Sequence, residues 1–249
     1  MSDAVDQAYK HHPEHLERQR TAGGHVNDRS QPGLPIIHRT LASPAPLGLL
    51  SFATGIFLIS ALGLGARSIT VPNILIGVLM FFGGACQFLA GVMEFLTGNT
   101  ASIKQRPFAQ TFGATLFPSY SAFNFSYAMI YLPGTGIMAA YTDPQTGTVG
   151  PEFKQALAIY IWAWFILTVL FSIAAMRSSW VLFLDLAALC ICLMLLASGN
   201  MVGNEGLLKA GYSFGLVVAF LSYWAGCAGL WAGNTTPIDL PTFSMYKDV

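Results

Sequence analysis

Two acids and an amide stand inside stretches that are otherwise apolar, and their chemistry limits what the chain can do. Asp185 lies within Val181–Leu196 with no charged neighbour in sequence. Gln87, Gly91 and Glu94 follow one another at i, i+4 and i+7, which puts them on one helix face. A carboxylate at bilayer depth costs roughly 2.5–3.5 kcal/mol on insertion scales, so such acids face protein or water and mark functional candidates. Asp185 is the stronger candidate. Glu94 reads either as a hydrogen-bonded anchor between helices or as a transport residue. No Lys or Arg lies deep in any apolar stretch. A translocated anion would therefore be held by neutral donors, by backbone N–H groups at a helix N-terminus, or would enter as the protonated acid. A permanent cation would want several acids. Small neutral molecules and weak acids remain. No covalent chemistry, cofactor or metal is called for, and an enzyme is not expected.

The elements that must position these groups follow from composition. The chain has 249 residues, 54% hydrophobic and 10% charged, with a mean hydropathy of +0.56. Soluble domains carry about 25% charged residues, and so few cannot coat a soluble surface. A net charge of +0 leaves no nucleic-acid footprint. Cys86, Cys190, Cys192 and Cys227 fall in apolar stretches without a CxxC pair and read as small buried hydrophobes.

Residues 1–45 hold all five histidines, five of the twelve Lys+Arg and five of the twelve Asp+Glu. This polar, aperiodic segment reads as a disordered tail without the apolar core of a signal peptide. His11, His12 and His15 within it read as solvated rather than metal-binding. A six-helix domain over 46–233 and a short tail over 234–249 follow. Six apolar runs, near 47–66, 72–97, 112–132, 153–176, 180–199 and 206–231, each match the length needed to cross a hydrocarbon core of roughly 30 Å. Pro46, Pro72, Pro151 and Ser178–Ser179 mark starts. The tail, even loops and C-terminus hold nine Lys+Arg against three (Arg67, Lys154, Lys209) in the odd loops, which predicts cytoplasmic termini. In the last run Gly211, Gly215, Ala219, Ser222 and Gly226 form one small-residue stripe, and Ser51 and Gly55 stand four apart in the first. Such stripes serve either tight helix packing or a narrow pore.

Ordered motifs then bring a resemblance. Ser43-Pro44-Ala45-Pro46-Leu47-Gly48-Leu49 resembles the NPAPLGL signature of the acetate uptake transporter family, which includes bacterial succinate–acetate permeases and fungal acetate and ammonia-outward proteins. Gln87–Gly91, Glu94-Phe95, Gly98–Thr100, Phe112–Thr115, Ser119-Tyr120, Phe214–Leu216 and Ala225–Leu230 resemble further family segments in order, over roughly 43–231. The resemblance implies an all-α protomer of six transmembrane helices around its own pore, assembled as a homo-hexamer. It implies passage of acetate or a related short monocarboxylate, proton-coupled or channel-like. It implies a substrate-admitting motif at Pro44, Ala45, Pro46, Leu47 and Gly48. It also implies a constriction at Phe52, Tyr120 and Leu189, with Ser222 as the small residue that tunes substrate size.

Physics agrees with two of these. The N–H groups of Leu47 and Gly48 open a helix N-terminus, which suits a carboxylate. An apolar ring blocks hydrated ions by dewetting.

The departures are specific. Ala101–Thr111 is inserted, Ser43 replaces the signature Asn, Asn124 stands for an aromatic, Ser222 for Ala, and Asp185 for an apolar residue. Asn124 and Asp185 are each four residues from a constriction residue, so a more polar pore is expected. An acid beside a narrow apolar zone is poorly solvated, so Asp185 reads either as the group that takes up the proton accompanying a carboxylate or as one that bonds a hydroxyl or backbone group of a neighbouring helix and never titrates. A channel for ammonia or urea, or a non-transporting acetate sensor, are the alternatives. The tail and the resemblance to fungal members point to a plasma membrane.

Overall fold

The computed structural model describes the backbone of residues 42–100, 107–176, 178–232 and 236–245, and their side chains except at 97–100 and 107–110. The histidine-bearing tail, the charges of the inserted segment, Arg177 and Lys247 lie outside the described residues. Ala42–Val249 forms one compact unit.

Six long helices follow one another. Helix α1 is Ala45–Gly63. Helix α2 runs as Leu75–Met80, a π-helical turn Phe81–Cys86, and Gln87–Thr100. Then come α3 (Pro107–Tyr131), α4 (Pro151–Ala175), α5 (Trp180–Val202) and α6 (Glu205–Leu230). No strand occurs among the described residues, only two isolated bridges. The starts follow local chemistry: prolines open α1 and α4, Ser179 Oγ accepts from the Leu182 N–H of α5, and Asn204 Oδ1 accepts from Gly206 and Leu207 of α6. Glycine at φ +67 lets the chain turn from α5 to α6 at Gly203.

Five of the six helices are long and apolar enough to cross a membrane. Helix α3 has 25 residues but is too polar to join them by composition. Its polar groups are nevertheless satisfied inside the bundle. Ser121 and Asn124 donate to α2, and Ser126 Oγ lies 2.7 Å from Tyr160 Oη of α4. The outer faces are apolar instead, with Ile159, Ile166, Leu170 and Ile173 exposed along α4 and Phe81, Phe88 and Phe95 along α2. A soluble protein could not carry such stripes; a hydrocarbon surround favours them.

Neighbours in the bundle run α1–α6–α5–α4–α3–α2 and back to α1, so the first and last helices pack side by side. Small residues set the approach. Gly211 faces Leu196 of α5, Gly226 faces Leu50 and Leu49 of α1, and a Cβ at Gly215 would run into Ser60 of α1. The stripe on α6 is thus a packing surface within the protomer. Gly91 of α2 receives the ring of Pro118, the proline inside α3. Residues Thr242, Phe243 and Met245 run across the start of α5: Trp180 N–H donates to the Phe243 carbonyl (2.9 Å) and Met245 N–H to the Ser178 carbonyl (3.2 Å). Trp224 Nε1 of α6 donates to the Pro241 carbonyl at 3.0 Å.

Candidate functional site

At the end of the bundle where α1, α3 and α5 begin, a cavity of about 890 Å³ opens between them and α4. Ala45 and Leu49 line it from α1, Phe112 and Leu116 from α3, Phe171 and Ala174 from α4, and Leu182 from α5. One helical turn inward from these residues, at spacings of three or four, stand Phe52, Tyr120, Thr168 and Asp185. The four helices therefore lead from one vestibule to one buried layer.

That layer is a packed aromatic cluster. Phe52 and Tyr120 stand with ring centroids 5.2 Å apart, and Tyr120 and Phe171 5.8 Å apart. Leu189 belongs to the same buried cluster and is 2% exposed. The Tyr120 hydroxyl lies 2.9 Å from Thr168 Oγ1, which itself donates to the Trp164 carbonyl. With that proton spent, the Tyr120 hydroxyl is the donor to Thr168 Oγ1. The sequence reading missed Phe171 and Thr168. Thr168 and Ser172 are the hydroxyl residues of the apolar stretch 162–175 and stand four apart, so a polar face on α4 was visible there.

The two departures Asp185 and Ser222 meet. Ser222 Oγ of α6 donates to Asp185 Oδ1 of α5 at 2.8 Å, and both residues are buried. The pair lies one turn of α5 from Leu189, on the vestibule side.

Asn124 reaches away from the aromatic layer, toward α2. Its Nδ2 donates to the Gly83 carbonyl (2.8 Å) and to Gln87 Oε1 (3.0 Å), and Ser121 Oγ donates to the Gly84 carbonyl (2.9 Å). Both backbone acceptors lie in the π-helical turn, where the ladder is widened, and the Gly84 carbonyl accepts the Gln87 N–H as well as Ser121 Oγ. Asn124 and Gln87 thus form an interhelical clasp. Among the described residues Gln87 Nε2 and Ser60 Oγ are buried without hydrogen-bond partners. Glu94 is half-buried, and the space beside Gly113 of α3 accommodates its carboxyl, which would stand 3.2 Å from a Cβ there.

The motif at the vestibule mouth has both structural and chemical parts. Pro44 caps α1, and the Gly48 N–H donates back to the Pro44 carbonyl at 3.2 Å. Of the two amides expected to be free, Leu47 therefore keeps that role and Gly48 does not. Gly48 is needed for approach instead: a Cβ would stand 2.6 Å from the ring of Phe117. Pro46 is buried, and a Cβ on Gly229 of α6 would come within 3.0 Å of it.

Comparison with known proteins agrees with this architecture. A protein 36% identical over 209 residues, accumulation of dyads protein 2 of Saccharomyces cerevisiae, matches 84% of this chain and 67% of its own length. Acetate permease A of Emericella nidulans is 33% identical, over 80% of this chain and 66% of its own. The solved structure of the bacterial acetate channel SatP superposes with a TM-score of 0.66 at 25% identity, covering 81% of this chain and all of that one. The match to the family model spans residues 26–247, nearly the whole chain, and with it this protein belongs to the GPR1/FUN34/yaaH family of membrane proteins.

Proposed function

We propose that the protein is a transporter or channel for acetate or a related short monocarboxylate, with six membrane crossings per protomer. The observation that carries this reading is the 890 Å³ vestibule leading, helix by helix, to the Phe52/Tyr120/Leu189 layer. Among the described residues that line the vestibule, the polar groups are the neutral hydroxyls of Thr111, Thr115 and Ser178. A fixed cation would trap an anion, whereas neutral hydroxyls and the Leu47 amide bind one weakly enough to release it. The acid, or the anion with a proton, passes the aromatic layer without any covalent step, and no catalytic role is assigned. Asp185, held by Ser222, takes the proton. An ionised Asp185 would repel the anion, so its protonation admits the substrate. Cytoplasmic termini, a plasma-membrane location and a homo-hexamer complete the proposal, supported by the Lys+Arg asymmetry and the family.

A second reading, a channel for a small neutral solute, is favoured by the same neutral hydroxyls among the described lining residues. Purified protein in liposomes decides between them. Saturable uptake of labelled acetate, dependent on the pH gradient, is expected. Passage of ammonia with no acetate flux would favour the second reading, and no flux of either would make the protein a sensor.

A further inference from the structure

Helices α3 and α4 form the sparsest seam between neighbours in the bundle. Side chains join them instead. The rings of Phe123 and Trp164 stand 5.3 Å apart, those of Phe112 and Phe171 6.2 Å apart, and the Tyr120 hydroxyl reaches Thr168 Oγ1 at 2.9 Å. Pro118 lies two residues before Tyr120 and lacks an N–H, so it removes one rung from the hydrogen-bond ladder of α3. Backbone packing alone therefore does little to fix the Tyr120 ring against α4.

Proton counting shows what does fix it. Thr168 Oγ1 carries a single proton and gives it to the Trp164 carbonyl at 2.7 Å. Its lone pair takes the proton of Tyr120, and the phenol has no second proton to offer a solute. Thr168 is completely buried and stands one turn inward of the vestibule-lining Phe171. The chain from Tyr120 through Thr168 to the Trp164 carbonyl is thus a tether that ends on the backbone of α4. Tyr120 is bracketed by Phe52 at 5.2 Å and Phe171 at 5.8 Å, so any movement of its ring alters its separation from Phe52.

We propose that Thr168 is a positioning residue of the size filter, tying the Tyr120 ring to α4 and so setting which short acids pass the aromatic layer, without meeting the solute itself. This rests on the acetate reading and on the aromatic layer as its narrowest point. The oxygen of Thr168 matters here, not its methyl group. Thr168→Ser keeps the acceptor. Thr168→Val has nearly the same shape but strands a buried phenol proton, which the ring relieves by turning toward water or another acceptor. Tyr120→Phe cuts the same tether from the other side and strands nothing.

The test uses the full chain in liposomes, with labelled acetate and labelled lactate as paired probes. In Thr168→Val the preference for acetate over lactate should fall about tenfold, the low end of what a pocket discriminates per added methylene. Thr168→Ser should keep the wild-type preference. Tyr120→Phe should lower it as far as Thr168→Val does, and the two together should do no more, since they break one bond. A merely structural loss would reduce uptake of both acids in proportion and leave the preference intact, which overturns the proposal. So does a Tyr120→Phe protein with a raised KM for acetate beside a Thr168→Val protein with an unchanged one, because the phenol would then serve the solute. Should Thr168→Val fail to fold, Tyr120→Phe carries the test, and an unaltered preference overturns the proposal. A wild type that moves neither acid fails the transport reading instead. Tyrosine labelled with 13C at Cζ then reads the tether alone: the resonance lost in Tyr120→Phe should shift in Thr168→Val and stay in Thr168→Ser, and no shift overturns the tether.

Discussion

The two ends of the bundle differ in width and in chemistry. The vestibule between α1, α3, α4 and α5 is wide and mostly apolar, at about 890 Å³, while a cavity at the other end, lined by Tyr127, Tyr131 and Tyr212, is about 110 Å³. A wide apolar hollow admits solutes without choosing among them, whereas a cavity of a few atoms' volume excludes most of them. Between them lies the aromatic layer, which under the proposed function would sort by size and hydration. Selectivity would then come from the middle of the bundle rather than from the vestibule.

The largest expected effect comes from disturbing what holds the ends in register. Gly215→Leu forces a side chain into Ser60 of α1 and Cys192 of α5 and should cost at least the 1–3 kcal/mol typical of overpacking. An unchanged melting temperature for the detergent-solubilised protein would show that α6 does not fix the spacing of the two ends. Next come Phe52→Ala and Leu189→Ala. Each is a buried large-to-small change that should admit lactate or succinate that the wild type excludes, with a loss of stability no greater than that of Gly215→Leu. Flux assays with labelled lactate check this; an unaltered substrate range would move the size filter to the tyrosine end.

Smaller in stability but telling in mechanism is Asp185→Asn. It keeps shape and can still accept from Ser222, but cannot titrate. Uptake that rises as pH falls through the titration of Asp185 should flatten in this variant, with folding and oligomer size unaltered. A wild-type pH profile would leave the Asp185–Ser222 pair as a structural clasp. The smallest effect is expected for Glu94→Gln. If the half-buried acid anchors α2 beside Gly113, abundance should fall modestly with KM unchanged, as quantitative blotting beside uptake would report. Normal abundance with abolished transport would instead make Glu94 part of the pathway.

Much of this was legible in the chain. Six runs of spanning length gave the six helices, with ends displaced by at most a few residues, because proline, serine and asparagine caps mark most of their starts. Spacing within one helix told which residues share a face, as for Gln87, Gly91 and Glu94, whereas Phe52 came from the family resemblance alone. Which face meets which was not legible. Asp185 and Ser222 each stood out as a polar departure, yet nothing in their spacing announces a hydrogen bond across 37 positions. The π-helical turn was likewise hidden: Phe81–Cys86 reads as ordinary apolar helix, and its widened register shows only in the fold, where Asn124 and Ser121 donate to carbonyls of that turn. Asn124 was therefore expected in the pore when its donors are in fact spent on α2. Tyr127 and Tyr131 of α3 and Tyr212 of α6, which line the small cavity, come from two helices and escaped notice because tyrosines are common at membrane interfaces.

The side-by-side packing of α1 and α6 has a consequence for the order of synthesis. The first of the six long helices, α1, packs most extensively against the last of them, α6, which is made after the other four. Until then the face of α1 that carries Ser60 stands without its seat on Gly215. The segment that straps α5 to the end of α6 through Phe243 and Pro241 is made later still. The α1–α6 seam can therefore form only after the last of the six long helices is made, whereas the contact of α1 with α2 is available early.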